Sequence, residues 1–114
     1  MQMPSPRAQQ TALSTLKTHA KKYRRRGVAE FRGHFKANRL FVEVVKEAKS
    51  GLVGRMFGMG TVKGVGRLAR LEYLGPNKWK LLIYKFDAKR YGPHPSFNEG
   101  SITACVDAAA DIYI

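Results

Sequence analysis

The chain has 114 residues, 44% of them hydrophobic, one cysteine, and 21 Lys and Arg against 8 Asp and Glu, for a net charge of +13. That length suits a single domain, 1–114, able to bury roughly two-thirds of its unfolded surface without a disulfide or a metal. No run approaches the ~20 apolar residues that span a bilayer, and MQMPSPRAQQ lacks a hydrophobic signal core, so a cytoplasmic protein with no integral-membrane part is expected.

Residues 1–5 are expected to be flexible. Ser5-Pro6 reads as a helix start, with Ser as cap and Pro at the first helical position. The helical period runs from 6 to 25. At ~100° per residue, Ala12, Leu13, Leu16, Ala20 and Tyr23 share one arc, and Lys17, Lys21, Lys22, Arg24, Arg25 and Arg26 lie outside it. Gly27 is placed to end the helix in the left-handed conformation.

From Val28 the period becomes two. Phe31, Gly33 and Phe35 share one side, and Glu30, Arg32, His34 and Lys36 the other. Ala37-Asn38 reads as a turn in which Asn takes the positive φ. Arg39 to Glu47 reads as a second strand. Residues 48–66 hold six glycines and follow neither period, which predicts a glycine-rich mobile loop. Arg67 to Leu74 and Trp79 to Phe86 read as a second hairpin across Gly75-Pro76-Asn77-Lys78. Residues 87–98, with Pro93 and Pro95, read as an irregular connection. Ser101 caps a last helix whose stripe is Ile102, Cys105, Val106, Ala109 and Tyr113, with Asp107 and Asp111 on its solvent face. The expected fold is α+β: a helix, a four-stranded antiparallel sheet and a helix, with both helices on one sheet face.

The stretch RLARLEYLGPNKWKLLIYKFDAKRY, followed by GSITACVDAAADIY, resembles a family of small uncharacterised bacterial proteins. The resemblance rests on Arg67 leading a strand, Trp79 leading the next, Tyr84-Lys85-Phe86, Tyr91 to Pro93, and the closing alanine-rich helix. It covers the C-terminal half. It implies a fold and lends no functional residues.

Charge supplies the functional candidates. KTHAKKYRRR, ending at Arg26, holds six cations and no acid in ten residues. A helix C-terminus favours cations by ~0.3–1 kcal/mol each, which accounts for one or two. Six repel one another, so a polyanion contact is expected at Lys17, Lys21, Lys22, Arg24, Arg25 and Arg26. Arg32, His34 and Lys36 add a second cationic area on the first hairpin, and Arg70 extends it. Phe41, Tyr84 and Phe86 are either core or, if exposed, stacking surfaces for bases.

Chemistry beyond charge is sparse. GMGTVKG, from Gly58 to Gly64, lacks the Gly-Lys-Ser/Thr ending of a Walker loop. His19, His34 and His94 are scattered, so no metal site is expected, nor any cofactor. Cys105 reads as a small buried hydrophobe. Three readings result. The first is a nucleic-acid-binding module for RNA or DNA. The second is an adaptor or inhibitor with an acidic protein partner, drawing also on the apolar glycine-rich loop. The third is a small ribonuclease using His34 with Glu30 and Arg32. A dimer through a sheet edge is compatible with each.

Overall fold

The computed structural model describes residues 3–49 and 61–114. Helix α1 spans Pro6–His19 and continues as a 3-10 turn, Ala20–Arg26. Strands β1 (Val28–Lys36) and β2 (Arg39–Lys49) follow, then β3 (Thr61–Gly75), β4 (Lys78–Lys85), β5 (Arg90–Pro93) and β6 (Glu99–Gly100). Helix α2, Ile102–Tyr113, closes the order. The strands pair antiparallel in the order β1-β2-β3-β4-β5, with β6 beside β5 on the outer side of β4.

The α+β class and the two flanking helices agree with the sequence; the strand number does not. Segment 87–98 is no mere connection. Lys89, at a φ of 54°, turns the chain back so that β5 pairs with β4, and β6 follows on the same edge. Strands of four and two residues beside two prolines carry too short a pattern to read. The strands also enter the glycine-rich stretch: Lys46 pairs with Gly64 and Lys49 with Thr61. The expected loop is therefore strand at 48–49 and 61–66, and its remainder lies outside the described residues.

Local chemistry sets the ends. The Ser5 hydroxyl accepts from the Ala8 amide at 3.1 Å, and the Ser101 hydroxyl from the Ala104 amide at 3.2 Å. Gly27 ends the turn at a φ of 85°, a left-handed position that glycine takes without strain. In the β1–β2 turn it is Ala37, not Asn38, that takes the positive φ, at 56°. Asn38 is buried there instead, and its carbonyl accepts from the Tyr73 amide.

Both helices deliver their stripes into one core on one sheet face. Ala12, Leu16 and Tyr23 meet Ile102, Cys105, Val106 and Ala109 over Phe31, Leu40, Val42, Leu71, Leu81 and Ile83. Each large apolar chain so buried contributes about 1.5–3 kcal/mol. Gly33 sets how close α1 lies. A Cβ there would stand 2.7 Å from the Leu16 Cδ1 and 2.9 Å from the Leu13 Cδ2, so a methyl group at this position would force the two leucines to shift.

A bulge in β3 matters for the opposite face. Val42 pairs with Ala69 but Glu43 pairs with Arg67, which leaves Leu68 as the extra residue. Leu68 and Ala69 are both buried in the core. Arg67 and Arg70, three positions apart, consequently share the face away from the helices.

Candidate functional site

Two cationic areas were legible in the sequence, and the structure keeps them apart. The first is the 3-10 turn. Three residues per turn put Ala20, Tyr23 and Arg26 in one row. Ala20 and Tyr23 are buried, and the Arg26 guanidinium stands 5.8 Å from the Tyr23 ring centre. Lys17, Lys21, Arg24, Arg25 and Arg26 are exposed and make no ion pair among the described residues. Lys22 differs: its ammonium lies 3.0 Å from the Asp107 carboxylate.

Asp107 is not on a solvent face. It accepts hydrogen bonds from the Tyr23 hydroxyl, from the His19 Nε2 at 2.7 Å and from Lys22. Burial alone would raise its pKa, but these bonds, led by Tyr23, hold the carboxyl below the usual carboxylate range. Burial, and then the bond to Asp107, push the Tyr23 hydroxyl well above its ordinary value. The carboxylate thus ties α2 to the basic turn. A period read along α2 alone cannot show it, because its partners lie more than eighty residues away. Asp111 is exposed, as expected.

The second area is the sheet face away from the helices. Alternation and register put Arg32, His34 and Lys36 of β1 there, with Arg39, Phe41 and Glu43 of β2. Arg67, Arg70 and Glu72 of β3 join them, with Lys80, Leu82 and Tyr84 of β4 and Tyr91 of β5. Among the described residues, no helix covers this face. It is covered by its own side chains. The rings form a continuous row: His34 stacks on Phe41 at 5.2 Å and 12°, Phe41 meets Tyr91 at 5.7 Å, and Tyr91 meets Tyr84 at 5.2 Å; Tyr84 meets Phe86 at 5.0 Å, just past the end of β4, at the edge where Phe86 also touches Tyr113 of α2.

Phe41 and Tyr91 sit on strands with two others between them. Strands lie ~4.8 Å apart, so the two rings lean toward each other across β3 and β4 to meet. Arginines lie against the same rings. Arg67 lies 5.3 Å from the centre of the Tyr84 ring, and Arg70 5.4 Å from that of Tyr91. Arg70 also reaches Glu72 at 3.3 Å, while its Nε is buried with no hydrogen-bond partner. Burial raises the Tyr91 pKa, which keeps that hydroxyl neutral.

The helix end and the hairpin cations therefore occupy opposite sides of the sheet. Of the sequence candidates for stacking, Phe41 is half-buried, Tyr84 is buried outside the helix-side core, and Phe86 is 53% exposed. Sequence reading missed Arg67, Arg39 and Tyr91 as members of this face. A strict period of two separates Arg67 from Arg70, and Tyr91 fell in the segment read as irregular.

The remaining candidates have structural tasks. Arg32 pairs with Glu30 at 2.6 Å, and His34 stands 3.9 Å from Glu43, so the carboxylate nearest His34 is across the strands, not Glu30. The His94 Nδ1 accepts from the Ser96 and Phe97 amides and its Nε2 donates to the Ala108 carbonyl. With both nitrogens engaged, His94 pins the loop between β5 and β6 to α2. Cys105 is fully buried, and burial pushes its thiol up to about 12. No group of three or more His, Cys, Asp or Glu among the described residues is placed to hold a metal, and no described helix is long and apolar enough to cross a membrane. Of GMGTVKG, residues 61–64 are strand rather than loop. No family model, curated protein or solved structure matches the chain. Functional roles accordingly rest on its own residues.

Proposed function

We propose that this protein binds nucleic acid through phosphate contacts from exposed cations, on the 3-10 turn and on the helix-free sheet face. One observation carries the reading: Lys17 near the end of α1 and Lys21, Arg24, Arg25 and Arg26 in the 3-10 turn crowd ten residues and make no ion pair among the described residues. Like charges held this close repel, and a folded domain gains nothing from the arrangement that one or two helix-end cations would not supply. A polyanion relieves the repulsion and releases its own counterions. Lys22 is left out of the set because Asp107 engages it.

The hairpin cations Arg32 and Lys36 supply a second, weaker contact area, with the ring of His34 between them. Glu30, Glu43 and Glu72 share that face, so its positive excess is smaller than that of the turn. Recognition by the turn is electrostatic and carries no base sequence.

A salt titration tests the reading. Five phosphate contacts predict a log–log slope of affinity against salt of about −4.5 for duplex and about −3.5 for a single strand. Replacing Arg24, Arg25 and Arg26 by Ala should flatten that slope by about 2–3 and weaken all sequences alike. Affinity for RNA and DNA that stays flat from low to moderate salt overturns the proposal.

A further inference from the structure

Resting on the nucleic-acid reading, we propose that the helix-free sheet face selects single strands. Bases would stack on the two open ends of its aromatic row, at His34 and Phe86, with Arg67 and Arg70 between them for the backbone.

Exposure along the row is uneven in a way that suits this. The inner rings Phe41, Tyr91 and Tyr84 pack against one another and are half-buried or buried. The outer two are open: Phe86 is 53% exposed, and the His34 side chain 63%. Each open ring is held by an inner one. His34 lies nearly parallel to Phe41, at 12°, and Phe86 is braced edge-on by Tyr84 on one side and by Tyr113 of α2 on the other. A ring fixed before binding loses little freedom when a base joins it.

Charge completes the match. The bulge at Leu68 brings Arg67 and Arg70 to one face, and each guanidinium already lies 5.3–5.4 Å from the centre of a tyrosine ring of the row. An arginine so placed offers both a phosphate donor and a flat cationic surface for a base. A duplex hides the faces of its bases and cannot use the row, whereas an unpaired strand exposes them. Glu43 and Glu72 lower the net charge of the face, so its contribution comes from the rings more than from counterion release.

Three labelled probes of equal length separate the possibilities: an oligothymidylate, an abasic sugar-phosphate strand, and a duplex. The oligothymidylate should bind at least about fivefold tighter than the abasic strand, the lower end of what one stacked base provides. Phe86→Ala and His34→Ala, both at exposed positions, should each reduce that preference while leaving the salt slope unchanged. The Arg24, Arg25, Arg26 triple alanine variant should weaken all three probes and keep the preference. Equal affinity for oligothymidylate and abasic strand, both lost in the triple variant, overturns the stacking site and leaves the electrostatic reading standing. Absence of binding to all three probes at low salt removes both.

Discussion

The two faces of the sheet are finished in different ways. The covered face is closed by helices: Leu40, Leu71 and Leu81 vanish beneath α1 and α2, with at most 1% of their surface left. The other is closed by its own long side chains, and they do the work less completely. Phe86 stays open, His34 stays open, and Arg70 lies over rings with one nitrogen unmatched. A face built for stability alone favours apolar groups without unsatisfied donors. The contrast separates the side that holds the molecule together from the side left with open rings and cations.

The largest test of that division is truncation on each side. Leu71→Ala on the covered face should cost about 2–5 kcal/mol in chemical denaturation, and Phe86→Ala less than about 1 kcal/mol. Equal losses would make the helix-free face a second core. Gly33→Ala acts where α1 meets β1. Forcing a methyl group against Leu13 and Leu16 should cost about 1–3 kcal/mol; an unchanged denaturation midpoint would show that α1 sits farther off than its contacts imply.

Asp107→Asn probes the seam between the helices. Removing the charge that Tyr23, His19 and Lys22 share should cost about 1–2 kcal/mol near neutral pH. The sign follows from a carboxyl pKa held below its ordinary value of 3.8. The contribution is full above that value and is lost as pH falls through the lower folded-state value. The stability gap between wild type and variant should therefore close on strong acidification, and a gap that widens there contradicts the assignment.

The smallest effect is expected of Arg70→Met. Arg70 is half-buried, and when it is removed Arg39 still faces Glu72 at 3.8 Å; apolar replacement of a cation with an unmet hydrogen bond is often neutral or stabilising, so stability should stay within about 1 kcal/mol of wild type while single-strand affinity falls. A large loss of stability would mean that Arg70 holds this face together, and the comparison between faces would lose its sharpest example.

Much of this architecture was legible in the chain. Ser5 and Ser101 as caps, Gly27 as the stop, and the stripes of both helices depend on residues within a few positions of one another. So does the division of β1 into Phe31 and Phe35 on one side and Arg32, His34 and Lys36 on the other. Such features are set by backbone sterics and by the repeat of helix or strand, which any short segment expresses by itself. The crowding of cations before Gly27 was equally plain, because charge is read by counting. The partners of those cations were not.

Tertiary structure alone decided which distant groups meet. It brought Asp107 to Tyr23 and His19, paired Arg90–Pro93 with β4, placed an extra residue at Leu68, and carried Tyr91 across two strands to Phe41. It also put the basic turn and the hairpin cations on opposite sides of the sheet. Each outcome depends on the packing of elements far apart in sequence, and a local period carries no information about what lies across the interface.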